Sequence, residues 1–346
     1  MGSGSLLALL ARVHTLRTCS ATAPAAAAVD FGSFHEELAQ RIAQLQLHGG
    51  SAHLNWLLDS SSCALSIHAS LASSFLPSCS AAAPALNIDR ADELLSMLDA
   101  CTSFKQVADD VDRQLDLFHA ALLSARQGCY KMGARLAAAR RLQTCLHGFE
   151  AILSNNSSPQ YRPRAEAQAA LVLAAKRVAA SHYGAAPPLN EALDGTLLIS
   201  LLVLASTFAT FAAPSTRASS TSPIHSACKR IAAYTSGKSG SSSTSATWAA
   251  PLRQLQRDLK QEHMGAIFLE LQRLHRSASS IHTTVSSPLH KEDDGELKQR
   301  IDTLRKRSQE AQACVTALRS QLAALFQALL ALRLALLAGC QLDVSR

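Results

Sequence analysis

A run of eighteen residues without a charged side chain, from Thr196 to Ala213, constrains the fold of this chain more than any other stretch. Its length is close to the roughly 20 apolar residues that cross a bilayer. Five of its residues carry Ser or Thr hydroxyls, which offset part of the gain from inserting Leu, Ile, Val and Phe into lipid. A helix buried on all sides within a helical bundle is also apolar all round. The run therefore predicts a central bundle helix, with a membrane span as the alternative.

The composition of the chain favours helices. Only 5% of the residues are aromatic, and Ala, Leu and Ser predominate, so helical propensity outweighs strand propensity. The formal net charge of +7 would suit an anionic partner. No run of five basic residues and no basic segment with interleaved aromatic residues is present, which disfavours nucleic acid. The nine cysteines contain no C-x-x-C pair and predict neither a zinc site nor a disulfide framework.

Residues 1–29 contain no acidic side chain and carry leucines at helical spacing before an Ala-rich tail. Plastid and mitochondrial transit peptides have this composition, and a disordered leader fits equally well. The sequence leaves open whether the protein is cytoplasmic, membrane-associated or targeted to a plastid.

Apolar residues recur every three or four positions in five stretches before the apolar run, which predicts an N-terminal helical bundle over residues 30–213 with the apolar helix at 196–213. Clusters of Gly, Pro and Asn separate these stretches. The predicted helices cover about 33–48, 52–76, 89–124, 129–153 and 163–184. The third presents one continuous apolar face, formed by Leu94, Leu98, Cys101, Phe104, Ala108, Val111, Leu115, Phe118 and Leu122.

The last third of the chain divides into a linker and a hairpin. Residues 214–247 are rich in Ser, Thr, Ala and Gly, which predicts a flexible linker. Residues 248–346 predict an antiparallel helical hairpin that packs on the bundle, with a first arm over 252–285 and a turn at 286–295. The second arm carries a heptad seam of Leu297, Ile301, Leu304, Ser308, Ala311, Val315, Leu318, Leu322, Leu325, Leu329, Leu332 and Leu336. The predicted fold is an all-α, elongated multihelix bundle with a long C-terminal heptad-patterned helix.

Two partial catalytic motifs each fail at a required residue. His35-Glu36 begins an H-E-x-x-H zinc motif, but Ala39 occupies the second His position. Gly237-Lys238-Ser239 resembles the end of a phosphate-binding loop, but Ala232 stands where that loop needs Gly. The sequence therefore predicts no catalytic, cofactor-binding or metal-binding residue, and it favours a non-enzymatic protein.

Two further groups of residues resemble a cation site and glycosylation sites. The acids Asp109, Asp110, Asp112 and Asp116 fall within a helical period and lack an EF-hand pattern, so they predict a solvated helix face. Asn155 and Asn156 begin glycosylation sequons, which would matter only in a luminal protein.

Five segments carry a resemblance to a known family. They are Phe34-His35-Glu36-Glu37-Leu38, Leu54-Asn55-Trp56-Leu57-Leu58, Leu94-Leu95-Ser96-Met97-Leu98-Asp99-Ala100-Cys101, the apolar run, and a last helix with Leu322, Leu325, Phe326, Arg333 and Leu337. Together they resemble the plant BYPASS-related family over nearly the whole chain from residue 31. The Ala-rich composition and the long leader depart from the family. The resemblance implies a role in plant development, including restraint of a root-derived mobile growth signal, and it supplies no catalytic residues.

Two classes of function are therefore expected. The first is a helical interaction or regulatory protein with protein partners, including an adaptor in secretion or membrane traffic that associates with the membrane through residues 196–213. The second is a carrier or enzyme for a lipid-like small molecule held in the apolar bundle interior. The absence of clustered acids, bases and nucleophiles in the sequence favours the first class.

Overall fold

The structure, a computed structural model, describes residues 31–45, 53–74, 84–128, 132–153, 162–180, 188–212, 226–229, 231–232, 247–261, 265–287 and 294–343. Its main helices in chain order are α1 (Phe31–Gln44), α2 (His53–Ser74), α3 (Pro84–Gly128), α4 (Met132–Leu153), α5 (Arg162–Ala180), α6 (Pro188–Phe211), α7 (Ala249–Gln261), α8 (Ala266–Ser286) and α9 (Asp294–Asp343). These described residues contain no strand. The all-α class predicted from the sequence is confirmed.

Helix α6 lies at the centre of the bundle. It contacts α1, α2, α3, α5 and α8. Every described side chain from position 192 to 211 is buried. Phe208 near its C-terminal end packs against Phe104 of α3, with ring centroids 6.0 Å apart. The apolar run is therefore covered by protein on all sides, which is the arrangement that the sequence favoured.

The helix extends further toward the N-terminus than the apolar run predicts. It begins at Pro188, so that Asp194 and Gly195, which bound the run in the sequence, lie inside the helix and are enclosed by neighbours. A Cβ atom on Gly195 would lie only 2.6 Å from Leu38 Cδ2 and 3.1 Å from Trp248 Cε2. Gly195 thus permits α1 and the segment before α7 to approach α6 closely.

Helices α3 and α9 form the longest pairing of the bundle, and they run antiparallel. Arg126 near the end of α3 pairs with Asp302 near the start of α9 at 2.9 Å, while Arg333 of α9 donates to the carbonyl of Ala91 at 3.1 Å. All nine residues of the predicted α3 face are buried, which confirms that face. The α9 seam is buried too, except that Ala311 is only half-buried.

The first arm of the predicted hairpin is not one helix. It is divided into α7 and α8, and Gly265 precedes α8 with a φ of 95°. Its backbone N–H donates to the carbonyl of Ala209 in α6 at 2.8 Å. A left-handed φ suits Gly and strains other residues. Helix α7 packs on α1, whereas α8 packs on α4, α9 and α6.

Part of the predicted linker is packed against the bundle. Within residues 214–247 the structure describes 226–229, 231–232 and Thr247. Ala227, Cys228 and Ile231 are fully buried, and Gln256 of α7 donates to the carbonyl of Cys228 at 2.8 Å. At these positions the segment is anchored rather than a free linker. The remainder of the linker, the leader 1–29, the sequons at Asn155 and Asn156, and Gly237-Lys238-Ser239 lie outside the described residues.

Candidate functional site

A buried ionic cluster connects the first turns of α3 to α6. Arg90 donates to Glu93 at 2.9 Å and pairs with Asp194 of α6, and all three side chains are at most 4% exposed. Burial alone would lower the pKa of Arg90, but the charges of Asp194 and Glu93 hold it above its ordinary value. Both acids thus have a permanently charged partner. The cluster fixes α6 against α3.

A second buried polar contact lies further along α6. Nε2 of His68 in α2 is 2.8 Å from Oγ of Ser200, and Ser200 donates its hydroxyl to the carbonyl of Thr196 at 2.8 Å. Because that hydroxyl proton is already used, His68 must donate from Nε2, and its Nδ1 is a bare acceptor without a partner among the described residues. Burial lowers the pKa of His68 to about 4. The imidazole is therefore neutral at physiological pH.

The His68–Ser200 pair does not form a hydrolytic dyad. A nucleophilic serine needs a base that accepts its proton and a path by which substrate reaches its oxygen. Here the Ser200 hydroxyl points to a backbone carbonyl, and both side chains are buried. The contact positions α2 against α6.

The acids of α3 form the polar edge of the α3–α9 pairing. Arg319 of α9 lies 3.2 Å from Asp109 and 2.8 Å from Asp112. Gln312 donates to Asp116 at 2.6 Å. The sequence predicted a solvated face here and could not show that α9 supplies its partners. Among the described residues, no group of three or more His, Cys, Asp or Glu could hold a metal ion.

The other candidate groups also have structural surroundings. His35 and Ala39 lie on α1, where Ala39 packs against the core and the carbonyl of His35 accepts a hydrogen bond from Thr247. Burial raises the pKa of the Cys63 thiol to about 11, against the opposing charge of Arg41, and burial also raises the pKa of Cys101. These thiols are protonated at neutral pH and are poor nucleophiles.

Two helices are long and apolar enough to cross a membrane by length and composition, within Asn190–Phe211 and Gly295–Ala338. The most apolar 18 residues of the first are 100% buried, whereas only 28% of the corresponding residues of the second are buried. The C-terminal half of α9 therefore combines a buried seam with a partly uncovered apolar surface. This surface is the candidate functional site.

The apolar face of α9 is formed by Ala324, Leu330, Ala331, Leu334 and Ala338. Ala324, Leu334 and Ala338 are exposed, and the other two are half-buried. The only charged residue between positions 321 and 338 is Arg333, whose guanidinium is engaged with the carbonyl of Ala91. The surface can therefore contact another apolar surface without leaving a charge unpaired.

Leu95 of α3 adds a large side chain near the apolar face. It lies about one turn beyond Ala91, which Arg333 contacts, and it is 39% exposed. The sequence predicted a heptad seam on this helix. It could not separate the seam from the outer face, because that division depends on where α3 and α2 pack.

The chain was also compared with known proteins. No protein-family model, no curated protein and no solved structure matches it. The resemblance to the BYPASS-related family stays a prediction from the sequence.

Proposed function

We propose that this chain is a non-enzymatic helical interaction protein, and that the apolar face of α9 binds a helix of a protein partner. The observation that carries the proposal is that only 28% of the residues in the most apolar stretch of α9 are buried and most of the others are half-buried, although the stretch is as apolar as the fully buried core helix α6. Exposed apolar surface of this kind is typical of interaction sites.

The composition of the face suits a helix as the occupant. Ala324, Ala331 and Ala338 recur every seven residues along one side of α9. Small side chains allow the axes of two helices to approach closely, and Leu330 and Leu334 beside them provide the larger contacts. The partner helix would present an apolar stripe at heptad spacing.

The non-enzymatic part of the proposal is supported by how the titratable core groups are used. Arg90 is paired with both Glu93 and Asp194, and His68 is neutral and enclosed. The resemblance to the BYPASS-related family extends the proposal to a role in plant development, including restraint of a root-derived mobile growth signal. A membrane-associated adaptor remains the alternative, with α6 as the membrane segment.

Affinity capture with the full chain tests this proposal. Leu334→Asp places a charge at the centre of the apolar face, whereas Leu173→Asp places one at another exposed leucine, on α5. We expect a defined set of proteins from fractionated plant tissue to be lost with Leu334→Asp and retained with Leu173→Asp. Equal recovery with both variants would contradict the assigned face. If the wild-type chain does not restore growth in a plant that lacks the protein, that result would contradict the developmental role.

A further inference from the structure

The positive charge of the chain is concentrated at one end of the bundle. The described residues of the segments 119–141 and 276–310 include ten Lys and Arg residues and four acids, an excess of six charges. The formal net charge of the whole chain is +7. Nearly all of the excess therefore lies in two segments that are far apart in the sequence.

The fold brings these two segments together. Arg126 of α3 pairs with Asp302 of α9 at 2.9 Å, and Arg141 of α4 donates to Ser124 of α3 at 3.0 Å. Arg300 of α9 donates to Ser280 of α8 at 2.7 Å. The end of α3, the start of α4, the end of α8 and the start of α9 thus form one surface, which we call the cationic end.

Many of these cations are exposed to solvent. Arg140 of α4, Arg276 of α8, and Lys306 and Arg307 of α9 are exposed and carry no ion pair with the described residues. Arg305 lies near α3 as well. Burial lowers the pKa of His119; Asp116 opposes this shift and Arg305 adds to it. On α3, Asp112 is paired with Arg319 of α9 at 2.8 Å, and Asp116 accepts a hydrogen bond from Gln312 of α9 at 2.6 Å.

Exposed leucines accompany the cations. Leu117 is 54% exposed, Leu123 is 37% exposed, and Leu136 is 57% exposed. Leu136 lies four residues before Arg140, so the two share one face of α4. Leucines next to unpaired cations are typical of a surface that binds a bilayer, because the cations contact anionic head groups and the leucines contact the acyl boundary.

We propose that the cationic end binds the surface of an anionic phospholipid bilayer, with its cations on the head groups and Leu117, Leu123 and Leu136 at the acyl boundary. A nucleic acid would match the charge, but it would not contact exposed leucines favourably. Among the described residues the large exposed apolar side chains are all leucines, so none of them is an aromatic ring that could stack on bases. The inference is independent of the proposed function, because the cationic end and the apolar face occupy opposite ends of α9.

Vesicle co-sedimentation of the full chain tests the inference. Vesicles of phosphatidylcholine alone are compared with vesicles that also contain phosphatidylserine, at about 50 and about 500 mM salt. We expect binding to the anionic vesicles only, and its loss at high salt. Each cation near a charged bilayer contributes about a fivefold gain in affinity. The triple variant Arg140→Glu, Lys306→Glu, Arg307→Glu should therefore bind at least about 100-fold more weakly.

A matched control separates this surface from the net charge of the chain. Lys105, Lys176 and Arg257 are exposed cations of α3, α5 and α7 outside the cationic end. Reversing these three to Glu changes the net charge equally and should leave most of the binding intact. Leu136→Ser should weaken binding about fivefold at both salt concentrations, because the apolar contact is not screened. Circular dichroism verifies the fold, and neutral Gln variants at Arg140, Lys306 and Arg307 replace the reversals if the triple variant is unfolded.

Four results would overturn the inference. They are no binding to anionic vesicles at low salt, equal binding to neutral vesicles, equal losses in the two triple variants, and wild-type affinity in Leu136→Ser. Binding to duplex DNA with no vesicle binding would assign the surface to nucleic acid instead. None of these results bears on protein capture by the apolar face, so the two proposals fail separately.

Discussion

The buried imidazole of His68 couples the stability of the fold to pH. In the folded chain its pKa is lowered to about 4, from an ordinary value of 6.5, because it is buried beside Ser200. Below about pH 6.5 the imidazole of His68 becomes protonated in the unfolded chain, whereas in the folded chain it stays neutral until about pH 4. The free energy of unfolding should therefore fall through this window, by roughly 3 kcal/mol in total.

Denaturant unfolding at several pH values measures this effect. We expect His68→Leu to lose the His68 contribution to the pH slope between pH 7 and pH 4.5. The exposed His147 provides the control, since His147→Gln should keep the wild-type slope. An unchanged slope in His68→Leu would show that the imidazole does not occupy the neutral, buried position.

The guanidinium of Arg90 pairs with two buried carboxylates. Removing it by Arg90→Met leaves Glu93 and Asp194 without their cation, which typically costs about 3–5 kcal/mol at neutral pH. Thermal melts at neutral pH measure this deficit. Neutralising all three positions, with Glu93→Gln and Asp194→Asn added, should recover part of the loss. A triple variant that is no more stable than Arg90→Met would refute the ionic role of Arg90.

At the scale of the helix, α9 carries two leucine rows with opposite roles. Leu325 lies in the seam and is 1% exposed, whereas Leu334 lies on the apolar face and is 42% exposed. We expect Leu325→Ala to cost about 2–5 kcal/mol of the roughly 5–15 kcal/mol that stabilises a domain. Leu334→Ala should change stability by well under that amount. An unchanged melting temperature in Leu325→Ala would mean that the seam is a docking surface rather than core.

The sequence predicted the helices that follow one uninterrupted apolar period. The seam of α9 and the nine-residue face of α3 appear in the structure almost as the spacing indicates, because a buried face must be apolar at every turn. The start of α6 was not predictable in this way. Asp194 marks a boundary in the sequence, and it becomes a helix residue because Arg90 on another helix compensates its charge.

The spacing of apolar residues also cannot show that the chain changes direction between two helices whose apolar residues recur with the same period. Leu252 and Leu274 belong to one continuous pattern, yet Gly265 divides it by hydrogen bonding to Ala209 in α6. The cationic end could not be predicted either. Its residues come from four helices, and no single segment contains a run of basic side chains.

The bundle fold of the chain as a whole depends on the enclosure of α6 by protein. Five neighbouring helices cover it, with Arg90 at one end and His68 near its middle. The same helix is apolar enough to cross a membrane, so burial within the bundle and insertion in lipid are competing environments for one segment. The bundle arrangement predicts that the chain is folded and monodisperse without detergent.

Amide hydrogen exchange of the full chain in detergent-free buffer tests this most directly. If neighbouring helices enclose α6, the amides of residues 196–211 should be among the slowest to exchange, opening only with global unfolding. Helix α9, which packs on α3, α2 and α8 but has many exposed residues, provides the internal reference. Fast exchange of 196–211 without lipid, together with protection once lipid vesicles are added, would contradict the account and identify α6 as a membrane helix.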